Sequence, residues 1–190
     1  MQDNIEDKNE IAILGGGCFW CTEALFKSLK GVMSVTSGYS GGTKEDAKYE
    51  KVSSGQTGHA EVIKIEFDPS LISFSDLLAV FFNTHDPTTL NRQGADTGTQ
   101  YRSVIFYTSD MQKIDAEKLI KELEDAKAYD KPIVTKLEPF TDFFEGEEYH
   151  KNYYERNKTA PYCEIVIAPK LEKLQKRFGS LISPLNVRGD

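Results

Sequence analysis

Apolar and polar positions along this chain switch repeatedly between a period of two and a period near 3.6. Ile11-Ala12-Ile13-Leu14 is a short unbroken apolar run ending in three glycines, which predicts a buried strand. Residues 18–30 have helical spacing and are closed by Gly31. Residues 32–39 predict a second strand. In residues 60–67, Glu61, Ile63, Ile65 and Phe67 share one face and Lys64 and Glu66 the other, which predicts a half-buried strand. Ser73 and Asp76 predict a capped helix carrying Phe74, Leu77, Leu78 and Phe81.

A turn-rich stretch follows over 84–100, long enough in a compact domain to suggest a functional loop. Strands are predicted over 103–107, 133–137 and 163–167. Helices are predicted from Ser109 to about Ala128, over 147–157, and from Pro169 to Gly179. An order beginning βαββαβ predicts an α+β, two-layer, ferredoxin-like sandwich, with helices on one face of a mostly antiparallel sheet. Residues 1–9 are polar and acidic and read as a flexible N-terminal tail. Residues 10–190 read as one domain.

Charge narrows the field. The net charge is −7 and no long basic run is present, which argues against nucleic-acid or anionic-membrane binding. No apolar run is long enough to cross a bilayer, and the start has no secretory pattern. The expected location is cytoplasmic, where thiols stay reduced. Three cysteines, Cys18, Cys21 and Cys163, are too few for a disulfide scaffold.

The sharpest local signal is Gly15-Gly16-Gly17-Cys18-Phe19-Trp20-Cys21. It places Cys18 where a strand turns through glycines into a helix. Unpaired N–H groups and the helix dipole there favour a thiolate, so a lowered thiol pKa is expected. The glycines allow close approach of a substrate. A dinucleotide loop fits poorly, because Trp20 stands where the third glycine belongs. Zinc binding fits poorly as well, since His59, His85 and His150 show no ligand spacing. They read instead as loop-holding residues. Cys18-x-x-Cys21 alone is compatible with a thioredoxin-like oxidoreductase, or with a redox-sensing domain that is oxidised without turnover.

Gly17-Cys18-Phe19-Trp20 resembles the signature of the A-type peptide methionine sulfoxide reductases. The resemblance continues through Gly38-Tyr39-Ser40-Gly41-Gly42, Thr57-Gly58-His59-Ala60-Glu61 and His85-Asp86-Pro87-Thr88. It extends through Arg92-Gln93-Gly94, the segment from Asp96 to Ser103, Glu148-Tyr149-His150 and Tyr162-Cys163. It implies reduction of methionine-S-sulfoxide, free or in proteins, with thioredoxin as reductant and protein repair as the purpose. It places the nucleophile at Cys18 and methyl-binding aromatics at Phe19 and Trp20. Tyr49, Glu61, Asp96 and Tyr101 fall where the sulfoxide oxygen is held. No metal or organic cofactor is called for, because thiols supply the electrons. Burial of Glu61, implied by its strand face, suits it to donate a proton. A sulfenic acid on Cys18 would condense with a second thiol, either Cys163 or Cys21. Cys163 matches the family position, with Cys21 as relay. This chain departs from the family pattern in having Cys21 after Trp20, and in lacking a glycine-rich tail after Cys163.

Overall fold

The computed structural model describes residues 9–183. The tail expected over 1–9 lies, except for Asn9, outside the described residues. Strand β1 (Glu10–Gly15) leads through the glycines into helix α1 (Phe19–Lys27), and β2 (Val32–Ser40) returns. One helical turn, α2 (Tyr49–Val52), precedes β3 (Ala60–Phe67) and α3 (Phe74–Thr84). The long loop contains a hairpin of β4 (Arg92–Gln93) and β5 (Asp96–Thr97). Then come β6 (Val104–Tyr107), α4 (Asp110–Asp125), β7 (Lys136–Pro139) and β8 (Phe144–Glu145). A short α5 (Tyr153–Arg156) and then α6 (Ala168–Phe178) pack against α1.

Six strands form one sheet in the order β7-β6-β1-β3-β2-β8. The expected mostly antiparallel sheet is in fact mixed. β1, β2, β3, β6 and β8 pair antiparallel, but β6 and β7 run parallel. Helix α4 carries the chain back to the starting end of β6, so the next strand must run the same way. Side-chain alternation sets the two faces. Ala12, Leu14, Ile63, Ile65 and Phe67 belong to the main core with Phe26 of α1 and Leu77, Leu78 and Phe81 of α3. Ile13, Val62, Val104 and Phe106 point the other way, under Phe140 and Phe143 of the segment joining β7 to β8. The Ser73–Asp76 capping box forms at the start of α3.

Three expected elements differ. Residues 163–167 form a π-helical turn continuous with α6, not a strand. Cys163 and Ile167 are buried while Ile165 is 74% exposed, so the inward spacing is four residues rather than two. The helix expected over 147–157 is broken at Asn152, which adopts a left-handed conformation (φ 53°). Its N–H is satisfied by the Glu23 carboxylate at 3.1 Å, not by a helical carbonyl. The strand expected over 133–137 forms slightly later, over Lys136–Pro139. Before it, Val134 is held by the Pro87 carbonyl.

Candidate active site

The site assembles at the start of α1. Cys18 is the N-cap residue, and its carbonyl accepts the first helical bond from Cys21 N–H at 3.1 Å. The next orphan donor, Phe19 N–H, points at Glu61 Oε2 at 3.1 Å. Glu61 sits on β3 opposite Tyr39 and is 2% exposed. Two effects compete on its carboxyl. Burial disfavours the charge, whereas the helix N–H favours it. Burial wins, helped by the nearby charges of Asp96 and Cys21, and pushes the pKa of Glu61 up to about 8. Glu61 is therefore largely protonated at neutral pH.

Gly17 makes this turn possible. Its φ is +94°, and a Cβ there would stand 2.6 Å from Gln93 Cγ. Gln93 itself is tied down at both ends of its amide, accepting from Asp86 N–H at 3.1 Å and donating to the Asp86 carbonyl at 3.0 Å. The β4–β5 hairpin thus roofs the cysteine turn and brings Asp96 in beside it.

The lowered thiol pKa expected for Cys18 is not found in this resting arrangement. The Cys18 thiol donates toward the Cys21 sulfur, and that bond, burial and the Glu61 charge push the Cys18 thiol well above the usual range. The same bond brings Cys21 down to about 7, against the cost of burial and with help from Lys170 and Tyr162. A helix start is one influence among several here, and burial together with the neighbouring Cys21 and Glu61 outweighs it. Where Glu61 is ionised, proton transfer to it from Cys18 would leave thiolate and neutral acid side by side, removing the Glu61 repulsion.

Tyr49 and Tyr101 stand close enough to Glu61 and Cys18 to feel both. Burial, then those charges, raises each phenol above its ordinary value, so both hydroxyls remain donors. Asp96 accepts from Tyr162 Oη at 3.1 Å, and the same hydroxyl lies 3.6 Å from Cys21 Sγ. Phe19 is 1% exposed, with its ring against Tyr39 and His150, so it backs the site from within the core. Trp20 is half-buried. It stacks on Tyr153 at 3.6 Å with 5° between the planes, and its Nε1 donates to His150 Nδ1 at 3.0 Å. Cys163 is fully buried in one cluster with Cys21, against which Cys18 and Trp20 pack. All three thiols are free.

Several members of this arrangement escaped the sequence reading. Glu147 accepts from Tyr39 Oη and from Tyr49 N–H, both at 2.7 Å, and so pins α2 to β2. His150, Tyr153 and Tyr162 frame Trp20. His150 and Tyr162 lie within matched motifs, which was the available signal. Tyr153 is legible only as a packing tyrosine of the helix expected over 147–157, and nothing local marks Glu147. His59 and His85 hold loops. His59 spans Gly42 N–H and the Thr43 carbonyl, and His85 spans the Phe81 carbonyl and Ser103 Oγ. Among the described residues, no group of three His, Cys, Asp or Glu side chains is placed to hold a metal ion.

Thiols gathered at a helix start and facing a buried carboxylic acid are the equipment of a cysteine-dependent oxidoreductase. Residues 10–181 match the family described as "Peptide methionine sulfoxide reductase", and the chain belongs to that family. It is 51% identical over 186 residues to the peptide methionine sulfoxide reductase MsrA of Polynucleobacter asymbioticus, covering 96% of this chain and 98% of that one. It is 54% identical over 169 residues to MsrA of Sulfolobus acidocaldarius, covering 89% and 95%. Among solved structures it is similar to reduced Mxr1 from Saccharomyces cerevisiae, with a TM-score of 0.76, 34% identity, and coverage of 82% of this chain and 90% of that one. The yeast protein is also solved in complex with Trx2, which this chain matches with a TM-score of 0.54 and 25% identity over 80% of this chain and 91% of that one.

Proposed function

We propose that this protein reduces methionine-S-sulfoxide, free and in proteins, to methionine, and that it repairs oxidised proteins with thioredoxin as reductant. The observation that carries the mechanism is the Glu61 carboxyl, buried and protonated near neutrality, on the same helix start as Cys18. Sulfoxide oxygen leaves only if it is protonated as sulfur is attacked. The Cys18 thiolate attacks the sulfoxide sulfur, Glu61 gives its proton to the oxygen, and methionine departs, leaving a sulfenic acid on Cys18 and a carboxylate on Glu61. Tyr49 and Tyr101 donate hydrogen bonds to the oxygen. Trp20, backed by Phe19, shapes the apolar wall for the methyl group. Asp96, held by Tyr162, orients the hydroxyls on the Cys21 side.

A second thiol condenses with the sulfenic acid, releasing water and forming a disulfide. Cys21 is positioned to act first, because it lies one helical turn from Cys18 and its thiol interacts with that of Cys18. Cys163, packed with Cys21, then attacks the Cys18–Cys21 disulfide at Cys21 and frees Cys18. A thioredoxin dithiol reduces the resulting bond. Electrons pass between thiols throughout, so the cycle calls for no cofactor.

The central order β6-β1-β3-β2, with α1 and α3 packed on the sheet, supports reading the core as a ferredoxin-like unit extended by β7 and β8. Residues 10–190 act as one catalytic domain in this reading. A cytoplasmic location agrees with three unpaired thiols and with the lack, among the described residues, of a helix long and apolar enough to cross a membrane. The deciding assay is thioredoxin-dependent loss of sulfoxide from a blocked methionine sulfoxide, with Cys18→Ser as control. Turnover by the parent and none by a folded Cys18→Ser protein is expected. Insulin-type disulfide reduction without sulfoxide loss would favour a general thiol–disulfide oxidoreductase instead.

A further inference from the structure

A cleft of about 550 Å³ opens beside the cysteine turn, and the mechanism above makes no use of it. His85 and Gln93 form part of its wall, and these are the side chains that lie against Gly16 and Gly17. The wall of the cleft therefore reaches the glycine turn that leads into Cys18. Lys170 and Lys173 of α6, and Lys131 ahead of β7, also line it. Among the described residues, none of these three ammonium groups has an ion-pair or hydrogen-bond partner. Two carboxylates share the space. Asp86 is committed to Thr88, accepting its N–H at 2.9 Å and its hydroxyl at 2.6 Å, and Asp130 is exposed. Three ammonium groups against two carboxylates leave this cleft positive on a chain whose net charge is −7.

We propose that the cleft is an anionic subsite of the reduction site, taking the carboxylate of an acidic residue about one to three positions from the methionine sulfoxide in a protein substrate. The proposal rests on the reductase reading above. The physical case is simple. Among the described residues, these lysines, gathered in a concave wall near the cysteine turn, have no ion-pair or hydrogen-bond partner to hold. A peptide backbone passing Cys18 brings its neighbouring side chains within reach of them. Lys170 lies between the two places, since its charge bears on both Cys21 and His85. The subsite would select among substrates by their flanking charge and leave free methionine sulfoxide unaffected.

Blocked pentapeptides with methionine sulfoxide flanked by Glu or by Lys test this. At low ionic strength, kcat/KM should favour the Glu peptide by about three- to tenfold through KM, and the preference should fade at high salt. The double variant Lys131→Glu/Lys173→Glu should reverse the preference while reducing free methionine sulfoxide at the parental rate, which also shows that it folds. Lys170 is left in place because it acts on Cys21. Binding of both labelled peptides to Cys18→Ser, read by fluorescence anisotropy, tests the subsite without turnover. Equal kcat/KM for the two peptides in the parent overturns the proposal, as does an unchanged preference in the double variant. Selective binding by Cys18→Ser, with no sulfoxide reduction by the parent, would uphold the subsite and tell against the reductase reading.

Discussion

Glu61→Gln separates the chemistry of this site from its cost. Glutamine keeps the shape and can still accept the Phe19 N–H, but it has no proton to give. Formation of the sulfenic acid in a single turnover should slow by about 10²–10⁴-fold, the usual contribution of general acid catalysis. The same substitution should change stability in a way that depends on pH. In the folded protein the Glu61 pKa rises from an ordinary 4.5 to about 8. Its contribution is fully favourable below pH 4.5 and is lost as pH climbs to about 8. That rise corresponds to roughly 5 kcal/mol above pH 8, of which about 3 kcal/mol is already felt at pH 7. Glutamine is neutral throughout. The stability of Glu61→Gln relative to the parent should therefore climb by that amount between pH 4.5 and 9, measured by urea denaturation. A near-normal single-turnover rate would show that the proton comes from elsewhere, with Tyr49 and Tyr101 next in line. A stability difference flat across pH would show that the carboxyl is not held neutral by burial.

Two further outcomes follow from the same geometry. Peptide mapping after one equivalent of sulfoxide should find Cys18–Cys21 at the earliest times and Cys21–Cys163 later. A lasting sulfenic acid with both other thiols intact would rule out resolution within the chain. His85, buried, is held down to about 4 by loss of solvation, so it folds as a neutral ring. Its contribution to stability is present above pH 6.5 and should fall by about 3 kcal/mol as pH drops toward 4. His85→Gln should flatten that acid limb in denaturant titrations, and an unchanged limb would assign it to other groups.

Much of the site could be read along the chain, because its signals were local. The glycine turn, the helix start at Cys18 and the inward face of Glu61 each follow from spacing within a few residues. What could not be read depends on contacts between distant segments. The interaction of Cys18 with Cys21, with burial and Glu61, reverses the expectation for Cys18, and only a tertiary arrangement reveals that Glu61 stands beside both. The strand expected over 163–167 failed because Ile165 and Ile167 suggest alternation, while burial falls on Cys163 and Ile167. The break at Asn152 comes from Glu23, well over a hundred residues away. The parallel pairing of β7 likewise rests on chain routing rather than on any pattern within the strand.

Trp20 is the chain's sole tryptophan, and it sits against the sulfur cluster with one face on Tyr153 and its N–H on His150. The one tryptophan thereby stands where the proposed cycle would carry out its redox steps. Sulfenic acid, disulfide and thiolate differ in how they quench an adjacent indole, and Tyr162, edge-on to Trp20, directly precedes Cys163. The emission of the unlabelled protein is consequently a clock for its own oxidation state. Each step can be timed optically, with no dye and no engineered probe to disturb the turn that holds Cys18.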